Sequence, residues 1–399
     1  MSVAYVHPFY GLDSGTTIAS WLDTGVLYTR GDLVDYEGSK YVCLVTHTSS
    51  SDLDPYTETH WEEITLTAGA INDITKPFRT IGAAATALGN GAHEVRIQKS
   101  PVTQATATFT NNSATVNIAG CAVGDIIGNW TIGWWYVFSA TETTATIMLN
   151  GNYMGPTYNN ITVYKITPYV RASSTTGSGN SFTETTSRSG TNLYSRFVIE
   201  GGWDISTGTA IPPSADIDMT FIRANTELAV NGLKLDANSN VDVKRLGLAY
   251  FRHAFELLNT VESIKFDRVA TIGTHSYSIV NFSRTPLKIR NSFFSVGYVS
   301  PILPVFLVGK LVEFTNTKIF CKRSTTSGAN GGALFSDTQT IGARYTFNRC
   351  YLPSLSVANM NLSSDSVAVI DGNTADANRY SIIHGGRGSS YESAPGSDG

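Results

Sequence analysis

The chain has 399 residues, a net charge of −4 from 28 Lys and Arg against 32 Asp and Glu, and only 15% charged residues beside 36 Gly and 19 Tyr. That length exceeds one ordinary domain, so roughly two to four units are expected, and few charges with many strand- and turn-formers favour an all-β chain. The charge balance leaves no basic footprint for nucleic acid. No stretch reaches the roughly eighteen continuous apolar residues of a membrane span, the longest candidate, Val299 to Val312, being broken by Pro301, Pro304 and Lys310.

Residues 1–20 read as a lead-in arm, because His7, Pro8 and Gly11 discourage regular structure. Such an arm suits docking on another subunit or a loose terminus equally. The first residues lack the basic and apolar regions of a signal peptide. Cys43, Cys121, Cys321 and Cys350 are scattered without a CxxC pair, which fits synthesis in a reducing cytoplasm.

Residues 21–66 read as a compact β unit. Gly31 and Asp32 start a strand, Glu37-Gly38 makes a hairpin turn, and Tyr41 to Val45 returns. The order Trp21, Tyr28, then Gly31-Asp32-x-Val34-x-Tyr36-x-Gly38-x-x-Tyr41-x-Cys43, closed by Trp61, resembles the small chitin-binding-type carbohydrate-binding modules. That resemblance implies exposed aromatics stacked on sugar faces, with Trp21, Tyr36 and Trp61 as candidates. The alternative is that the same rings form the core of a tiny domain, which needs one. Cys43, His47 and His60 are three potential ligands at a spacing unlike a zinc finger, so no metal is expected.

Residues 67–104 hold a short helix from Thr75 to Leu88, with Pro77 near its start and Gly89 at its end, then a strand from His93 to Ile97. The wording from Lys76 through Ile97 resembles the opening of right-handed parallel β-helices. There a short helix covers the open end of the tube, which otherwise exposes apolar side chains and strand edges. Residues 105–170 interrupt with five or six short antiparallel strands punctuated by Gly120, Gly128, Gly133, Gly151 and Gly155, an inserted small β-barrel. Its wording resembles a small domain recurrent in phage tail and other virion proteins. Trp130, Trp134 and Trp135 are numerous for so small a core. They either pack internally or leave Trp134 and Trp135 at a glycan platform or subunit contact.

Residues 171–195 read as a Ser/Thr/Gly-rich linker. Residues 196–384 return to alternating strands, and four similar phrases bring up Asp267, Asn291, Asn316 and Asn348 at spacings of 24, 25 and 32 residues (291−267, 316−291, 348−316). Period-two alternation makes each unit strands, and Asx tolerates the left-handed corner between them. About seven coils of this size make a rod of about 30 Å. Residues 385–399 read as a low-complexity tail.

For catalysis, a glycosidase needs two carboxyls within about 5 to 10 Å, and Asp216 with Asp218 is the sequence-near pair. No Ser-His-Asp arrangement, P-loop or Gly-rich nucleotide fingerprint occurs, so no cofactor is expected. Arg245, Arg252 and His253 are either a small basic patch or a solvated face, and His275 has no evident partner.

The expectation is an all-β protein: a right-handed parallel β-helix with a small N-terminal β module and an inserted antiparallel barrel. The resemblances imply a phage spike or fibre on tail or head, made in the host bacterial cytoplasm and mounted on the virion; the lack of partner residues beside Asp216 and Asp218 and the short rod favour a non-enzymatic one. They imply a homotrimer, contact with portal, tail or capsid proteins, and contact with host-surface polysaccharide. A capsular-polysaccharide depolymerase and a purely structural decoration or connector stand as alternatives.

Overall fold

The computed structural model describes residues 1–28, 30–51, 54–56, 59–147, 153, 156–171, 184–186, 196–206, 208–224, 231–236, 240–258, 263–274, 277–281, 286–296, 306–307, 311–320, 335–336, 344–350, 360–362, 367–371, 383–385 and 390–393. Most of the linker 171–195 and of the tail 385–399 lies outside these residues, as do His275 and Cys321.

Among the described residues the regular elements are one helix and otherwise strands. From Phe197 onward it visits three parallel sheets in turn. Phe197–Trp203 lies in the first, Thr220–Ala224 in the second and Leu233–Asp236 in the third; Val241–Lys244, Leu246–Ala249 and His253–Leu258 then repeat the circuit. Each strand pairs in parallel with its counterpart one circuit on, so Val241↔Ile264, Ile264↔Leu287 and Leu287↔Val312 follow in register. The alternation seen in the sequence is the reason. Val241 and Val243, Ile264 and Phe266, Leu287 and Ile289, and Val312 and Phe314 point inward and are buried. Asp242, Lys244, Lys265 and Asp267 alternate with them on the outer face. The inward column Val243, Phe266, Ile289, Phe314 and Phe347 is stacked layer on layer, and the Phe314 and Phe347 rings lie parallel 5.0 Å apart. Each such side chain contributes about 1.5–3 kcal/mol on burial.

The corners between first-sheet and second-sheet strands differ in position from the sequence expectation. The left-handed residues are Arg245, Arg268, Asn291, Asn316 and Arg349, with φ of 51°, 53°, 49°, 47° and 52°. Asp267 and Asn348 are the last residues of their strands instead, paired with Arg290 and Thr315. Lining up the Asx residues therefore misaligned two circuits by one position. A ladder of backbone bonds fixes the corner whatever the side chain: Arg245 N donates to Asp267 O, Arg268 N to Arg290 O and Asn291 N to Thr315 O, at 3.0, 3.1 and 3.0 Å. Where Asx does occupy the corner, side chains add rungs. Asn291 Nδ2 donates to Asp267 Oδ1 (2.9 Å) and Asn316 Nδ2 to Asn291 Oδ1 (3.4 Å).

The helix, α1, spans Ile81–Leu88, shorter than expected. Residues 75–80 are drawn out by pairing: Phe78 N donates to Tyr5 O and Phe78 O accepts from His7 N. Thr80 caps the helix by accepting from Ala83 N, and Gly89 ends it at φ 74°. Its face of Ile81, Ala84, Ala85 and Leu88 seals the central core. The lead-in residues are part of the same construction. Val3–Val6 is a strand of the first sheet, parallel to Glu94–Gln98.

The insert is a seven-stranded antiparallel sheet running from Gly133–Tyr136 at one edge to Ser139–Ala140 at the other. It packs on the outer face of the second parallel sheet. The outward column there is Phe221, Gly247, Ala270 and Phe293, and it shares one apolar cluster with Phe109, Val116, Trp134, Trp135 and Val163 of the insert. Gly247 is required by closeness, since a Cβ there would sit 2.1 Å from the Phe221 ring. Among the described residues no helix is long and apolar enough to cross a membrane.

Candidate functional site

The unit at residues 21–66 is built on a three-stranded antiparallel sheet of Leu33–Tyr36, Ser39–Cys43 and Trp61–Ile64. The hairpin turns at Glu37 and Gly38, both left-handed at φ 51° and 90°. Period two divides the sheet into two faces with different fates. One face carries Leu33, Val42 and Ile64, which pack with Phe9 and Tyr169 of the body. Glu62 lies on this side and accepts from the Tyr10 hydroxyl at 2.8 Å. The other face carries Val34, Tyr36, Tyr41, Cys43 and Trp61, opposite one another by register, and with Tyr28 makes a small private core.

Polar groups lock the docked side. The Arg79 guanidinium donates to Gly31 O and to Phe9 O. Burial lowers its affinity for the proton, while Asp32 and Asp13 favour the charged form. His7 is buried beside Tyr10 and Tyr169. Its Nδ1 accepts from Tyr10 N (3.1 Å) and Phe9 N (3.3 Å). Burial, then the Arg79 charge, pushes its pKa down to about 4, so the ring is neutral near pH 7.

The free side has an aromatic strip. Trp21 is carried past Asp35, donating its backbone N–H to Asp35 O at 2.9 Å. Its indole meets Tyr36 edge-on, centroids 5.3 Å apart. Tyr36 meets the buried Tyr41 at 6.4 Å. Trp21 and Tyr36 are half-buried. Tyr56, whose hydroxyl bears electrostatically on Tyr41 of the same face, is 78% exposed, its loop turned by a bond from Tyr56 N to Asp54 Oδ1 (2.9 Å). The charges beside the rings are acidic. Burial raises the Tyr36 hydroxyl pKa and Glu37 and Asp54 add to it; burial raises that of Tyr41, with Glu63 next.

The structure thus brings Trp21 and Tyr36 together but puts Trp61 beneath them. Trp61 is 6% exposed and packs edge-on against Tyr28 (5.1 Å) and His47 (5.2 Å). It is a core residue, because a domain this small has few other large side chains to bury. Tyr56 was the residue missed by sequence reasoning. The signal was an isolated aromatic after Pro55 in an otherwise polar loop. Cys43 Sγ lies 3.8 Å from His47 Nδ1, but burial pushes the thiol up to about 12 and His47 Nδ1 is engaged by Val45 O at 2.7 Å.

Trp134 and Trp135 are 0% and 3% exposed and present no face to a glycan. They join the insert to the coil, Trp134 against Phe221 (centroids 5.5 Å) and Trp135 against Phe293 (5.7 Å). Tyr136 is stacked parallel on Tyr250 at 4.8 Å beside them. The outer face of the second sheet is apolar at this point and must be covered, which is why these rings are inside.

Asp216 and Asp218 sit in one loop, and their carboxylates are engaged by different partners. Asp218 Oδ2 accepts from Ser214 N and Ala215 N, each at 2.8 Å, closing the loop on itself. Asp216 pairs with Arg268 at 2.9 Å. Arg245 donates to Ala215 O (2.7 Å) and Trp130 Nε1 to Asp216 O (2.9 Å). The two acids hold a loop against the corner arginines, which also accounts for Arg245.

A family model described as carbohydrate-binding module family 5/12 matches residues 21–61. No curated protein sequence matches the chain. Among solved structures, the tailspike protein of Pseudomonas phage LKA1 is similar at 11% identity and TM-score 0.23, over 75% of this chain and 62% of that one. The tailspike of Acinetobacter baumannii bacteriophage AP22, determined in complex with capsular saccharide, is similar at 11% identity and TM-score 0.21, over 76% and 55%. The tailspike of Pseudomonas phage phi297 is similar at 12% identity and TM-score 0.21, over 76% and 58%. This chain therefore spans less than two thirds of the length of each.

Proposed function

We propose that this chain is a phage virion spike that contacts host-surface glycan through residues 21–66 and does not cleave it. The three-sheet winding is read as a right-handed parallel β-helix, assembled as a homotrimer and joined to portal, tail or capsid proteins. One observation carries the glycan reading. The module's sheet commits one face to the body through Val42, Phe9 and Tyr169, leaving Trp21, Tyr36 and Tyr56 on the free side. Accessible rings on one side of a sheet are the ordinary means of gripping the apolar faces of sugars, each worth about a factor of ten. The match of residues 21–61 to a carbohydrate-binding module supports the same reading.

The test is binding of the purified protein to host-surface polysaccharide. Saturable binding that Trp21→Ala and Tyr36→Ala each weaken about tenfold, with the fold intact, is expected. Absence of saturable binding leaves only the structural connector role. Incubation with the same polysaccharide is expected to leave its chain length unchanged. The loop-holding bonds of Asp216 and Asp218 support that expectation, and shortening would establish the depolymerase alternative.

A further inference from the structure

Residues 21–66 hold nine Asp and Glu against two Lys and Arg, a formal charge of −7 within a chain whose total is −4. The rest of the chain is therefore net positive, and the negative charge is concentrated on the unit that carries the strip. Neither cation offsets it at the rings. The Lys40 ammonium is held by the Asp35 carboxylate, and Arg30 lies over the Phe9 ring, 5.4 Å away, on the docked side.

The acids are placed unevenly. Glu62 is turned toward Tyr10 on the docked side. Glu63 stands directly across from Tyr41 on the strip side. Glu37 follows Tyr36 at the hairpin turn, and Asp54 anchors the Tyr56 loop. Glu37 and Glu63 are exposed.

We propose, resting on the glycan-binding reading above, that the strip of Trp21, Tyr36 and Tyr56 with its rim of Glu37, Asp54 and Glu63 selects an amine-bearing glycan over an acidic one. The Glu37 and Asp54 carboxylates act on Tyr36 and the Glu63 carboxylate on Tyr41 opposite it, so a protonated amino group on a sugar resting there meets them with little screening, the Debye length being about 8 Å in physiological salt. The ring faces attract cations as well. A uronate polymer meets like charge at the same positions, and such juxtaposition acts against the wrong partner.

The measurement is calorimetric binding of three probes to the full chain at about pH 6, where Asp and Glu are ionised: the glucosamine hexamer, the N-acetylglucosamine hexamer and a galacturonate oligomer. Glucosamine is expected to bind about tenfold tighter than its N-acetyl form, the sum of three modest surface attractions, and galacturonate weakest. The preference should shrink as salt rises. The triple variant Glu37→Gln, Asp54→Asn, Glu63→Gln, checked for an unchanged melting temperature, should bring glucosamine down to the level of N-acetylglucosamine. Equal or tighter galacturonate binding, or a preference surviving in the triple variant, overturns the selectivity while leaving aromatic glycan binding intact. If none of the probes binds and host polysaccharide does not bind either, the underlying reading falls with it.

Discussion

Two aromatic-rich regions of this molecule look alike in sequence and behave in opposite ways. Trp134, Trp135 and Tyr136 form one run in the insert, and all three are buried against the coil. Trp21, Tyr36 and Tyr56 are spread along the module and reach its free side. The difference lies in what each sheet faces. The insert covers an apolar column, Phe221 to Phe293, and its rings fill that contact. The module already has a covered back, so its remaining rings have nothing to bury against except the small core beneath them. Aromatic density marks an apolar contact; whether the contact is internal or external depends on the opposing surface.

The largest expected effect lies in the buried region. Trp134→Ala should destabilise by about 4 kcal/mol, as large-to-small core substitutions do. Calorimetry should read this as a lowered melting temperature, with glycan affinity per folded molecule unchanged. A mild effect would erase the contrast between the two regions.

The junction between module and body comes next. His7 has a folded pKa near 4, below its unfolded value of about 6.5, so the folded state binds fewer protons between these values. Its contribution is fully present above about pH 6.5 and is lost as pH falls toward 4. It amounts to about 3 kcal/mol at most. The variant His7→Asn, whose Oδ1 can accept the bonds from Phe9 and Tyr10, should flatten that part of a stability–pH curve measured by denaturant titration. An unchanged slope would remove His7 from the account.

A smaller loss is expected from Asp13→Ala. The Asp13 carboxylate accepts from Arg79 N (2.8 Å) and from Thr80 Oγ1 (2.8 Å), tying the lead-in to the start of α1. Loss of such a capping contact costs about 1 kcal/mol and should appear as faster amide exchange in the helix. The smallest stability effect belongs to Tyr56→Ala, within about 0.5 kcal/mol for so exposed a side chain, together with roughly tenfold weaker glycan binding. Tyr56→Ala and Trp134→Ala should therefore form a double dissociation between binding and stability, and failure of either half breaks the comparison.

The alternation in residues 241–315 was legible because inward and outward positions differ in chemistry: Val241 and Val243 against Asp242 and Lys244, Ile264 and Phe266 against Lys265 and Asp267. The corner was less legible. Asx residues are good left-handed corners, but Arg245, Arg268 and Arg349 occupy the same conformation. Backbone bonds to the next layer hold Arg245 and Arg268 there, and no side-chain preference announces them. The module's strands were legible from Gly31 through Cys43, because the hairpin needs Gly38 and the strands need alternation.

The sequence by itself thus determined the strands, their period and the existence of three differently worded regions, since these follow from local propensity and spacing. Only the tertiary structure decided which rings are glue and which are surface. It also decided that Asp216 and Asp218 close a loop, and that the lead-in strand Val3–Val6 belongs to the first sheet. Apart from the local bonds of Asp218, those outcomes depend on contacts between residues about a hundred positions apart, such as Phe221 with Ser100 and Trp130 with Asp216. A one-dimensional pattern carries no record of which apolar face meets another and which meets water.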